Sequence, residues 1–154
     1  MKTKKSGQMM TKEEVFSKKA ADYLVCFAES CPRHEQCLRW LVGQYTPTDW
    51  ACVQCVNPRN RLVGEGRCGQ FRSDQPVQMA RGMTHIFTDD MPLRVIHYVR
   101  SALIADSCRT LFYEYWNGTR LIPPAMQQRV RQLFRKAGWQ QPVNFDEMLV
   151  SFEW

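Results

Sequence analysis

The sequence predicts a mainly α fold, with α+β as its variant: a helical single domain carrying an irregular cysteine-rich segment and at most a small β element. Three observations lead there. Apolar residues recur at three- and four-residue spacing in several stretches, and six of seven cysteines fall between residues 26 and 68 among glycines and prolines. Alternating, strand-like patterns are short and few. At 154 residues with 44% hydrophobic content, the chain can bury a core without a covalent staple. The expected layout is a flexible basic leader over 1–20, then one globular domain over 21–154. Within it the cysteine-rich segment occupies 26–69 and the helical part 90–154.

The first helix is expected near residue 12 in "TKEEVFSKKAADYLVCF". Thr11 is placed to cap it, and Glu13 and Glu14 sit where carboxylates favour the positive end of the helix dipole. A second helix is expected over "RHEQCLRWLVGQY", with Pro32 before it and Gly43 near its end. From Pro47 to Gly69 the texture turns to punctuators such as "VNPRN" and "GEGRCGQ", and "WACVQCV" alternates as a strand does. Gly82 is expected to close a turn. Asp89 or Asp90 is then expected to cap "MPLRVIHYVRSALIAD", whose Leu93, Ile96, Val99 and Leu103 form a helical stripe. "TLFYEYWNGTRLIPP" admits both a hairpin at Asn117-Gly118 and a helix ended by Gly118; helix is the expectation, because a lone hairpin lacks partner strands. The last helix follows Pro123-Pro124, places Met126, Val130, Leu133 and Ala137 on one face, and stops at Gly138. The aromatics of the closing "FDEMLVSFEW" are expected to dock onto the body.

The net charge is +6, but residues 1–20 hold six lysines against two glutamates, leaving +2 on everything after them. A nearly balanced body gives weak nonspecific attraction to polyanions. No apolar run approaches the length of a membrane span, and no apolar stretch with a small-residue cleavage site follows the basic start. The expected location is therefore the reducing cytoplasm, with no membrane partner.

The cysteines stand at 26, 31, 37, 52, 55, 68 and 108. An odd count argues against a complete disulfide framework. Two readings remain open: independent core thiols, and a metal site using thiolates, with zinc expected and an iron–sulfur cluster as the alternative. Cys52 and Cys55 have C-x2-C spacing, and turns with proline or glycine adjoin Cys31 and Cys68, where backbone donors can approach sulfur. His34 is a possible substitute ligand. Cys108, alone, is assigned to the core.

"CPRHEQCLRW", "VNPRN", "CGQF", "ARGM", "NGTRLIPPAMQQRVRQLFRKAGW" and "FDEMLVSFEW" together resemble a family of small uncharacterised bacterial proteins, a domain of unknown function. The resemblance covers about residues 22–154. It implies Cys26, Cys31, Cys37 and Cys68 as one ligand set, with Cys52 and Cys55 as alternates outside the family pattern. No activity is implied.

No phosphate loop, dinucleotide fingerprint, nucleophile elbow or H-E-x-x-H helix occurs. His85, with Asp89 and Asp90 close in sequence, is the candidate acid–base group, and His97 is expected to be structural. No catalytic residue is assigned. Arg129, Arg131, Arg135 and Lys136 lie on the last helix without an intervening acid and form a candidate nucleic-acid face. The expected function is a zinc-type, metal-stabilised binding module acting through nucleic acid or a protein partner. The alternative is a redox or metal sensor built on the cysteine cluster.

Overall fold

Thr11 opens the described part of the chain: the computed structural model of the protein describes residues 11–154, and the first ten residues of the basic leader lie outside it. Contacts group the chain into two compact units, one running to Gln75 and taking in Trp154, the other Pro76–Glu153.

In the first unit, helix α1 (Lys12–Lys19) begins where predicted. Thr11 Oγ1 accepts from the Glu14 N–H at 3.2 Å, and Glu14 Oε2 accepts from the Thr11 N–H at 2.9 Å, a reciprocal capping box. Phe16 is buried, and the closing Trp154 sets its ring edge-on to Phe16 and Tyr23, at 6.0 and 5.5 Å, as expected for a docking aromatic.

The single helix predicted over 33–45 is instead a 3-10 turn, His34–Gln36, and helix α2 (Leu38–Gly43). Cys37 between them is extended, at φ −109 and ψ 117, because it bridges Ser73 while the Leu38 N–H donates to Arg72 O at 2.8 Å. Tertiary backbone pairing there outweighs a helical pattern of modest propensity. "WACVQCV" is not a strand; its one pairing is an isolated parallel bridge from Cys55 to Val25. Helix α3 (Arg61–Gly64) is a single turn capped by the Asn60 side chain.

The second unit is built on a three-stranded antiparallel sheet, β1 (Val77–Arg81), β2 (Leu121–Ile122) and β3 (Glu147–Ser151), in the order β2-β1-β3. Ala80 lies opposite Ile122 on one side and Met148 on the other. Helices α4 (Leu93–Ser107), α5 (Arg109–Trp116) and α6 (Pro124–Lys136) complete it, and α6 packs against β1. The fold is therefore α+β, the variant of the expectation, and its small β element is this three-stranded sheet.

The core of this unit includes Ala80, Val99, Phe112, Ile122, Val130 and Phe134. Gln127 is buried on α6, and its amide donates to the carbonyls of Gln78 and Ile122, both at 2.9 Å, tying helix to sheet without an unpaired donor. Helix α5 replaces the hairpin alternative, although Leu121–Ile122 just beyond it does pair as a strand.

Several expectations are corrected. Asp89 and Asp90 do not cap α4, whose N-cap is Pro92 with no side-chain bond. The buried stripe of α4 is Val95, Val99 and Leu103, while Leu93 is 72% exposed. His97 is exposed rather than seated in the apolar stripe. Cys108 is exposed rather than core, and its φ of 99 separates α4 from α5. No helix among the described residues is long and apolar enough to cross a membrane.

Candidate metal centre

Cys26, Cys31 and Cys37 are each 8% exposed, and Cys68 is half-buried. All four line one cavity of about 20 Å³ in the first unit. Three come from the chain just before α2, the fourth from the loop after α3. The backbone pairing that breaks the predicted helix at Cys37 also brings that loop alongside α2, so the departure from local propensity is what assembles the site.

Further contacts hold the loop in place. Arg33 donates to Gly66 O at 3.3 Å and lies over the Phe71 ring at 3.5 Å. Gly66 has φ +69, and a side chain there would press on Pro32 at 3.0 Å, so glycine is required where the two cysteine-bearing turns approach.

The sulfurs receive backbone donors. The Gln70 N–H donates to Cys68 Sγ at 3.3 Å, and the Ala28 N–H donates to Cys26. Such donors two residues beyond a cysteine favour its thiolate form. Burial nevertheless pushes the Cys26 thiol up, and the nearby Cys37, Cys68 and Cys31 push it further, against the lowering effect of the Ala28 donor. Crowded thiols without a cation favour the neutral form; a bound cation inverts that preference.

Two neighbours were not anticipated. Arg39 also lines the cavity and is 8% exposed. Its guanidinium donates to Gln70 O at 2.7 Å and Leu24 O at 2.8 Å and lies over Tyr23 at 4.9 Å, with no carboxylate in an ion pair with it among the described residues. A buried cation is costly, and the carbonyls of Gln70 and Leu24 with the Tyr23 ring offset part of that cost here. Trp40 lines the same cavity, and its buried Nε1–H has no hydrogen-bond partner among the described residues. The sequence signal for Arg39 was an arginine inside the otherwise apolar "LRWLVG", two positions after Cys37.

His34 also faces the cavity, packed at 4.6 Å against the Trp40 ring. Its Nδ1 lies 2.6 Å from Cys31 O; donation to that carbonyl leaves Nε2 as the lone-pair nitrogen, the arrangement a ligating histidine uses. Cys52 and Cys55, the alternates, are both exposed and take no part in the cavity. No disulfide joins any of the seven cysteines. Among the described residues no three histidine, cysteine or acidic side chains close into a metal-holding group, so the four thiols share a cavity without forming a finished tetrahedron.

In the second unit, His85 pairs not with Asp89 or Asp90 but with Asp146, its Nδ1 2.9 Å from Asp146 Oδ1. Asp146 also accepts from the Thr84 and His85 backbone N–H groups and from Thr84 Oγ1. Burial alone would raise this carboxyl, but these bonds together hold it below the usual carboxylate range. A carboxylate engaged four times fastens the segment after β1 to the start of β3 and has little capacity left to accept a substrate proton. The sequence separation of 61 residues hid the pair.

The proposed nucleic-acid face is divided. Arg129 grips Asp106 at 2.6 and 3.2 Å, a bidentate contact that lowers the Asp106 carboxyl. Arg131 lies over the Phe145 ring at 5.3 Å, while Arg135 and Lys136 are exposed in the last turn of α6.

A sequence profile described as a family of unknown function (DUF6078) matches residues 9–154. The chain belongs to that family. The DUF6078 match begins before α1, so it takes in the first helix as well as the stretch from residue 22 on which the resemblance rested. No curated protein and no solved structure matches the chain.

Proposed function

We propose that the first unit is a zinc-type, metal-stabilised binding module in which Cys26, Cys31, Cys37 and Cys68 hold one ion as thiolates. The observation that carries this reading is the convergence of four cysteine side chains on one cavity of about 20 Å³. That space suits a single ion better than a four-iron cube, and zinc, which accepts four thiolates in a tetrahedron, is the ion proposed, with an iron–sulfur cluster as the alternative. The buried Arg39, the unpaired Trp40 donor and the backbone N–H groups on sulfur all support an anionic cluster at that place. His34 is the substitute ligand.

Four thiolates leave zinc no open position, so the ion would brace the fold and supply no Lewis acid. Binding, to nucleic acid or to a protein, is the activity this reading assigns.

Cobalt(II) exchange tests it. One equivalent of cobalt should give tetrahedral thiolate bands that survive Cys52→Ser and Cys55→Ser and vanish in Cys37→Ser and Cys68→Ser. Bands that are absent, or that follow Cys52 and Cys55, would refute the assignment.

A further inference from the structure

The end of α6 reads "RVRQLFRKAGW", with Arg131, Arg135 and Trp139 at intervals of four. The two arginines therefore share a helix face. The helix closes in a Schellman arrangement: the Gly138 N–H donates to Arg135 O and the Trp139 N–H to Phe134 O, both at 3.0 Å, with Gly138 at φ +85. That closure folds the chain back so that Trp139 lines one open cleft with both arginines, beside Gln140 and Gln141. The cleft measures about 330 Å³, within the range of small-ligand sites.

Its chemistry is one-sided. No carboxylate lines it, and among the described residues no ion pair engages Arg131 or Arg135, in contrast to Arg129. The Phe145 ring occupies the face of the Arg131 guanidinium and leaves its N–H edge for an acceptor. The negative end of the α6 dipole opposes an anion here, but the carbonyls of Leu133, Phe134 and Arg135 already accept the closing N–H groups, so the local field belongs chiefly to the two guanidiniums.

Two unpaired guanidiniums match a phosphate, an indole offers a flat surface to an aromatic ring, and two amides can read the edge of such a ring. We propose that this cleft binds a nucleoside phosphate, Arg131 and Arg135 holding the phosphate and Trp139 stacking on the base. The ligand is either a free mononucleotide or the 5′-phosphorylated end of a single strand, which present the same chemistry. The assignment stands on the second unit and is independent of the metal.

Calorimetric titration of the full chain at low salt tests it, with adenosine monophosphate, ribose 5-phosphate, inorganic phosphate, and an oligonucleotide with and without its 5′-phosphate. Adenosine monophosphate should bind about tenfold tighter than ribose 5-phosphate, and Arg135→Gln and Trp139→Leu should each weaken it about tenfold. Trp139→Phe should retain part of the gain, and Arg129→Gln should change nothing. A phosphorylated oligonucleotide that outbinds the mononucleotide makes the strand end the source, and equal binding makes it the free nucleotide; either supports the site. Two results would overturn it: no binding of any probe at millimolar concentration, or equal binding of inorganic phosphate and adenosine monophosphate; an oligonucleotide indifferent to its phosphate, with adenosine monophosphate bound, makes the free nucleotide the source.

Discussion

In the second unit α4 packs on α5 and α6, α6 packs on β1, and the side chains between them include fully buried Val99, Ile122 and Val130. In the first unit Phe16, Val25, Leu38 and Val42 are also fully buried, but immediately around the cysteines the elements are a 3-10 turn and helices of six and four residues, and the buried cluster there is Cys26, Ala28, Cys31, Val56 and Val63. Two valines contribute on the order of 2 kcal/mol each. A structural zinc can contribute roughly 10 kcal/mol or more to folding. The difference teaches where the proposed ion would matter: regular elements in the second unit stack hydrocarbon on hydrocarbon, whereas the short turns around the cysteines bury little and leave order there to be supplied by a bound metal.

Removing the ion should break that comparison most visibly. Chelation, or Cys68→Ser, should abolish amide-exchange protection across residues 24–73 while protection in α4, α6 and β1 persists. Loss of protection everywhere, or nowhere, would contradict a metal confined to the first unit.

Arg39 sharpens the comparison next. If its guanidinium offsets an anionic cluster, Arg39→Gln should weaken metal retention by about tenfold or more, read by competition with a chromophoric chelator. A buried arginine with no such role should leave metal affinity unchanged.

Little of this division was legible in the sequence. The caps at Thr11 and Gly138 and the helical periods of α4 and α6 are local signals that held, whereas the cap expected at Asp89 or Asp90 and the strand expected in "WACVQCV" did not. The break at Cys37 was hidden because it arises from pairing with residues 72 and 73, more than thirty positions on. The sheet was hidden because β1 pairs with β3 about 70 residues later through "VQMAR", a run with weak alternation. At the candidate site, the family resemblance named the four cysteines that share the cavity, a grouping that spacing alone left open. Arg39 was only half legible: its place inside the apolar "LRWLVG" marks it out, but its burial without a carboxylate partner among the described residues comes from tertiary packing.

Two smaller effects belong to the second unit and should leave metal content untouched. Asp146 has its carboxyl held below the ordinary range, so its stabilising contribution is complete above the usual carboxylate pKa and disappears as pH falls through the folded value. Asp146→Asn should cost about 2 kcal/mol near neutral pH and flatten the acid limb of the second unit's unfolding curve. An unchanged limb would mean the four bonds are not stabilising. Smallest of all, Cys108→Gly should stabilise by about 1 kcal/mol, because φ of 99 burdens a residue with a side chain; thermal denaturation reads the change, and a lower midpoint would deny the strain.

The most direct test counts thiols and metal together in the native protein. With four of the seven cysteines committed to one ion, three thiols (Cys52, Cys55 and Cys108) should react promptly with a chromogenic disulfide, and the remaining four only as one equivalent of zinc is released. Seven promptly reactive thiols with no metal present would contradict the account.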